Sequence, residues 1–347
     1  MRGVAGLAAR EGGEGRVMAG KVSAAEYIDF LVASPRVVSG TEAARTQPER
    51  PGAPAHDAYT RLLHRLEPDA ATLWAEAEPL VARGGGVLVL DDSVLDKPYA
   101  RQMDLVTRQW SGKHKRVVRG IGLVTLLWSD GEALIPCDYR LYEQETDGLT
   151  KNDHARDLLA VAKGRDFAPA MVLFASWYAS LANLKAVRGH GWPGLTQLKA
   201  NRAVNPDGTG TRRLDQCAIA EGGTRVHLQG YGWIVVFRLV STDGDTEYWA
   251  TSDLGMGELG RQKYSELAWG IEVYHRALKQ HCGVERAQVR AARAQRNHST
   301  CALRAFLRLE QHRLVTGLNW GAAKAGIVRA AIRAYRAAPT FTLSSTA

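Results

Sequence analysis

The run GGGVLVLDDSV, from Gly84 to Val94, constrains the fold more than any other stretch of the chain. Four consecutive apolar residues bounded by turn formers read as a short strand buried on both faces, not as one face of a helix. Asp91 and Asp92 close the run, so one of them projects from the C-terminal end of a buried strand. The polar, turn-like SVLDKPYA follows, as it would where a strand exits into a cleft. Taken alone, two acids at such a point also serve as an ordinary turn or Asx cap.

The texture on either side of this strand divides the chain. Residues 1–22 are Gly-rich and unpatterned and are expected to be disordered, with Met18 an alternative start to Met1. Residues 23–82 carry helical periodicity in SAAEYIDFLVAS, AHDAYTRLLHRL and ATLWAEAEPLV, broken by the Pro-rich RTQPERPGAPA, and read as a small helical domain. Residues 83–188 mix strands with a helix: VVRGIGLVTLLWS and EALIPCDYRLY, then HARDLLAVAKGR, then the short buried strand of APAMVLFASW. Residues 189–256 hold the strand candidates GLTQLKANRAV, TRVHLQGY, GWIVVFRLVST and EYWATSD without a long helical pattern, and are expected to form a β-rich insertion. Residues 257–318 return to helix in ELAWGIEVYHRALKQH and QVRAARAQRNHSTCALRAFLRLEQHRL, and residues 319–347 add GAAKAGIVRAAIRAY and a polar tail.

Composition narrows the partners. The chain has 347 residues, about 45% of them hydrophobic, enough for a large core. No apolar run approaches the roughly 18 residues of a membrane span, and no signal-peptide core begins the chain, so a cytoplasmic, nucleoid-associated location is expected. Cys137, Cys217, Cys282 and Cys301 are scattered and form no CxxC pair, which argues against zinc and against a disulfide framework. A net charge of +9 invites a polyanion.

Glu272 and Lys279 lie seven apart in WGIEVYHRALK, two helical turns, and so share a face with His275 and Arg276 close by. A Glu/Lys pair on a helix is most simply a solvated salt bridge. An Asp at a strand end with a Glu on a later helix is also two-thirds of the acid set for two-metal phosphoryl transfer. Two divalent ions about 4 Å apart need one shared carboxylate and a flanking ligand each.

VLVLDDSVLDKPYA, RGIGLVTLLW, MVLFASWYASLANLK and WGIEVYHRALKQHCGVERAQ, in that order, resemble the transposases of the IS4 and IS701 type. The likeness runs from about residue 24 to LNWGAAKAGIVRAAIRAY. It implies an α/β, RNase H-like mixed sheet with flanking helices, a β-rich insertion and a helical N-terminal domain for DNA. It also implies Mg²⁺ or Mn²⁺ as cofactor, and double-stranded DNA, both terminal inverted repeats and target, as partner of a homodimer. On the same basis Asp92 is the first metal ligand, with Asp91 its less favoured neighbour, Glu272 is the third acid, and Lys279 matches the Lys of the family's helix signature. The Tyr and Arg of that signature fall on Ser265, beside Tyr264, and on Ala268. The second acid is missing, because Ala175 occupies its position and the neutral Ser176 cannot replace a carboxylate.

The expected function is therefore cut-and-paste DNA transposition, by metal-dependent strand cleavage and transfer, impaired in this copy. Natural decay, retention for DNA binding alone and a deliberate Asp-to-Ala change are three origins for Ala175. A non-catalytic DNA-binding derivative and a nuclease without transposition are the alternatives. For the DNA path, Arg286, Arg290, Arg293 and Arg296 are spaced as one stripe of a helix, and Lys113, Lys115, Arg116 and Arg119 form a second cluster ahead of a strand. His56, Arg61 and Arg65 are candidate contacts of the N-terminal domain.

Overall fold

The computed structural model of the chain describes residues 22–48, 51–67, 69–143, 148–242 and 244–340. The segment expected to be disordered, up to residue 21, and the choice between Met1 and Met18 lie outside these residues. Four helices come first: α1 (Ala24–Ala33), α2 (Gly40–Arg45), α3 (His56–Arg65) and α4 (Ala70–Ala77). Ser23 starts α1 with a full capping box, its side chain accepting from the Glu26 amide while Glu26 reaches back to the Ser23 amide. The strands and helices of the core follow: β1 (Val87–Asp96), β2 (Thr107–Ser111), β3 (Arg116–Ser129), β4 (Ile135–Tyr142), α5 (Lys151–Gly164), β5 (Met171–Phe174), α6 (Leu181–Gly189) and β6 (Gly194–Leu198). Next come β7 (Ala203–Asn205), β8 (Arg212–Arg213), β9 (Thr224–Leu228), β10 (Gly232–Val240) and β11 (Thr246–Thr251), and finally α7 (Glu258–Ala268), α8 (Gly270–His281), α9 (Ala292–Thr316) and α10 (Trp320–Ala337).

All eleven strands of the described residues join one mixed sheet. The 14-residue β3 carries β2 against its first half and β4 against its second. Its other edge pairs antiparallel with β1, which pairs parallel with β5, and β5 pairs parallel with β6. The chain thus has the expected mixed α/β fold with helices flanking a large sheet, its core strands in the order β4-β3-β1-β5-β6. The β-rich stretch is not a separate sheet: β11 pairs antiparallel with β6, and β10, β9, β7 and β8 extend the same ladder outward. Gly120 permits the tightest β1–β3 approach, since a Cβ there would sit 2.5 Å from Val94 and 2.6 Å from the Leu95 carbonyl.

The helical N-terminus packs on α9 and shares its core. The Tyr27 hydroxyl bonds His298 Nδ1 at 2.9 Å, and Asn297 donates to the Leu63 and Leu66 carbonyls at 2.7 Å. Burial pushes His298 down to about 4, so it is a neutral member of this contact.

The helix expected from Gln288 onward starts later. Gly283, in the left-handed region at φ +64°, ends α8, and the chain runs without helix to Ala291. Its carbonyls are taken by groups from elsewhere: buried Lys97 holds those of Glu285 and Ala287 at 2.8 and 2.7 Å, and the Asp104 amide holds that of Arg290 at 2.9 Å. The Asp104 carboxylate then accepts from the Ala292 amide at 2.9 Å, which starts α9 there. Arg286, Arg290, Arg293 and Arg296 are consequently not one helical stripe. Spacing suggested it, but the backbone between them is committed to long-range hydrogen bonds.

Candidate active site

β1, β2, the start of α5, the turn after β5 and α8 surround an open cleft of about 1800 Å³. Asp91, Asp92, Glu272, His275, Arg276 and Lys279 all line it. β1 alternates its side chains between the two faces of the sheet, so the adjacent acids face apart.

Asp92 is held closely. Lys151 Nζ lies 2.6 Å from Asp92 Oδ2, and the Tyr178 hydroxyl donates to Asp92 Oδ1 at 2.9 Å. Lys151 is the first residue of α5, where a cation faces the positive end of the helix dipole, and the Asp92 carboxylate offsets that cost. Burial, then the charges of Asp92 and Asp91, raise Tyr178 well above the usual phenol range, so it is a neutral donor.

Asp91 has no side-chain partner among the described residues; its carboxylate is held only by a backbone hydrogen bond from Asp92, which acts against the upward shift. Burial and the Asp92 charge, with a smaller contribution from Glu272, push its carboxyl well above the ordinary range, while Lys151 acts weakly the other way. Ala175 stands beside it. The parallel β1–β5 register ends with Leu90 against Phe174, and Ala175 continues the extended backbone at φ −68°, ψ 161°, one step further, on the Asp91 face. Ala175 is exposed.

Glu272 sits in the first turn of α8, open to the cleft. Lys279, two turns on, does not reach the acids: its ammonium donates to the Val94 carbonyl at 2.7 Å and pairs with Glu285 at 3.1 Å, clamping α8 to β1. His275 is buried between them and pushed down to about 3 by burial and Lys279. Ala268 ends α7 just before the Trp269 bend that separates α7 from α8.

The cleft does not fit a two-ion site. Ala175 supplies no donor and both Asp92 oxygens are engaged. Among the described residues, no three His, Cys, Asp or Glu side chains are gathered closely enough to hold a metal ion.

The basic residues divide. Lys113 lines the cleft and lies 3.1 Å from Asp96, which His114 also contacts at 2.8 Å. Burial opposes it, but these two hydrogen bonds hold the Asp96 carboxyl below its usual range. Lys115, Arg116 and Arg119 are exposed on the turn and first residues of β3, outside the cleft lining. Arg286 lines the cleft while donating to the Arg36 carbonyl, and Arg290 is exposed outside it. Arg293 pairs with Glu67 and Arg296 with Glu143, the latter at 2.7 Å, so both are spent on packing α9. In the N-terminal helices His56 is exposed, Arg61 pairs with Asp57, and Arg65 donates to the Val22 carbonyl.

Sequence reading missed Lys151 and Tyr178. TKND, a capping box in which Thr150 accepts from the Asp153 amide, marks Lys151 as a helix-start cation, the one available signal. It also missed one exposed tryptophan on the cleft wall, Trp110 at 63%; Trp177, one of the tryptophans the sequence offers as core residues or base-stacking candidates, is exposed there too at 61%, with Lys199 Nζ 5.7 Å from its ring centroid.

This large mixed sheet with flanking helices is similar in fold to a transposase. The chain belongs to the DDE superfamily endonucleases, whose family pattern it matches over residues 24–216, more than half its length. Its fold is similar to that of the piggyBac transposase in a synaptic complex with hairpin DNA, with a TM-score of 0.52 at 11% identity, covering 92% of this chain and 73% of that one. No curated protein matches. Endonucleases of this superfamily generally depend on divalent metal ions.

Proposed function

We propose that the chain is a cut-and-paste DNA transposase of the insertion-sequence type by descent, which binds double-stranded DNA in this cleft and is impaired in strand cleavage and transfer at Ala175. The observation that supports the reading is the β1–β5 register, whose last pair, Leu90 with Phe174, is followed by Ala175 in extended backbone one step on, level with Asp91. Asp91, with Glu272, is the better remaining ligand pair for Mg²⁺ or Mn²⁺, in place of Asp92. Asp92 is neutralised by Lys151, whereas the burial and neighbouring acids that disfavour the charged form of Asp91 are what a bound cation would offset.

The same Lys151–Asp92 pair supports the second reading, a DNA-binding protein without cleavage. That pair withdraws Asp92 from any metal, while Arg276, exposed on the cleft wall, supplies part of the positive charge that phosphate needs. The residues present attract and position DNA; they do not complete the chemistry.

The test is nicking of supercoiled plasmid, and of duplex from the DNA flanking the gene, by the parent chain and by Ala175→Asp, each with Mg²⁺, Mn²⁺ or chelator. The parent is expected to bind and not nick, and the variant to nick only with metal. Losing even an outer-shell partner costs about 10 to 100-fold in metal affinity or activity, so restoring a direct ligand has a large effect. Ala268→Arg added to Ala175→Asp is expected to raise the rate further, by placing a cation near the phosphate. Equal activity in the parent and Ala175→Asp would remove Ala175 from the site.

A further inference from the structure

The arginines of α9 and α10 differ in one respect. On α9, Arg293, Arg296, Arg304, Arg308 and Arg313 each pair with an acid: Glu67, Glu143, Glu76, Asp29 and Glu310. On α10, Arg329, Arg333 and Arg336 are exposed and, among the described residues, take part in no ion pair. Glu310 is the last acid in the sequence, so α10 has none of its own. The spacing of four and three puts the three arginines on one face.

The root of α10 is fixed and its far end is bare. Asn319 caps it, accepting from the Ala322 amide at 2.9 Å, and Trp320 donates to Glu310 at 2.8 Å. Buried Lys324 donates to the Leu31 and Val32 carbonyls of α1 at 3.0 and 2.7 Å and to the His281 carbonyl of α8 at 2.7 Å. α10 is thereby tied to the end of the helix that carries Glu272. From Gly326 to Thr340 every residue is exposed, including Ile327, Val328 and Ile332. A solvent-bound helical stretch of this length is marginal in water, so a bound partner would stabilise it.

We propose that the outer half of α10 is an arm that lies along the backbone of double-stranded DNA, Arg329, Arg333 and Arg336 meeting successive phosphates. The partner is a polyanion because three unpaired cations without an acid repel a second copy of the same helix and attract phosphate. The inference rests on the DNA-binding reading of the cleft and adds a second, sequence-independent contact outside it.

The test measures affinity for a random-sequence duplex without divalent metal across a salt series. It compares the parent, R329A/R333A/R336A, the charge-conserving R329K/R333K/R336K, and K113A in the cleft. Each phosphate contact contributes about 0.9 to the slope of log affinity against log salt, so the alanine variant is expected to lose about 2.7 of that slope, with the lysine variant close to the parent. K113A is expected to lose about one contact. An unchanged slope in the alanine variant, beside a parent and K113A that differ, overturns the arm and leaves the cleft reading intact. No duplex binding by the parent overturns both. A changed oligomeric mass in sedimentation with the salt slope unchanged makes α10 a contact between copies, which also overturns the proposal.

Discussion

Asp91 and Asp92 are covalent neighbours on one strand, yet the two faces of β1 treat them oppositely. Asp92 has a cation at 2.6 Å and a phenol at 2.9 Å. Asp91 has other acids for company, and the adjacent strand brings only the methyl group of Ala175 one step past its last pair, Leu90 with Phe174. A satisfied carboxylate beside a frustrated one shows which is structural. The first holds α5 and the turn after β5 to the sheet, and the second is what the proposed reading makes the ligand of a cation.

Removing the cation is the strongest way to break this contrast. Lys151→Ala leaves Asp92 charged with side-chain exposure of only 17%, and losing one member of a buried pair costs up to about 3–5 kcal/mol. Partial exposure reduces the expectation to about 2–3 kcal/mol in urea denaturation, and Lys151→Ala with Asp92→Ala should recover part of it. A loss within 0.5 kcal/mol would make the pair incidental.

Tyr178→Phe probes the second anchor of Asp92. A hydrogen bond to a charged group contributes about 1.5–3 kcal/mol, and Lys151 remains to compensate, so a loss of about 1 kcal/mol is expected at pH 7. The same substitution should leave the fluorescence-monitored binding of duplex DNA within about twofold, since the hydroxyl is already committed to Asp92.

Asp91→Asn should have the smallest effect and the opposite sign. A carboxyl raised in the folded state contributes stability that is complete below its unfolded value and is lost as pH rises through the folded value. The parent therefore carries a cost at neutral pH that the amide removes. Asp91→Asn is expected to melt higher than the parent at pH 7 and to converge with it in acid. Asp92→Asn, which abandons Lys151, should melt lower at pH 7. The same sign for both would erase the distinction between the faces.

The strands were legible because buried parallel neighbours leave continuous apolar runs: VLVL and MVLF became β1 and β5. The two acids were legible for the same reason, as polar residues at the end of such a run. Which of them faces Ala175 was not, because that depends on a register between residues more than 80 positions apart. The false helical stripe through Arg286 and Arg290 has a similar origin. Local spacing favoured a helix, but Lys97 and Asp104, far upstream, claimed its carbonyls and set its start. β2 escaped notice because TRQWS lies at an edge, only Ser111 of it is buried, and it has no apolar run. The join between the insertion and the core sheet was hidden too, since nothing in EYWAT announces that β11 pairs with β6.

The most direct test of the missing-ligand account is Mn²⁺ titration by calorimetry of the parent, Ala175→Asp, and Ala175→Asp combined with either Asp91→Asn or Asp92→Asn. The account predicts at least about a 10 to 100-fold gain in affinity for Ala175→Asp. Asp91→Asn should abolish that gain, and Asp92→Asn should leave most of it. Equal Mn²⁺ affinity in the parent and Ala175→Asp, or a gain that vanishes with Asp92→Asn and survives Asp91→Asn, would contradict it.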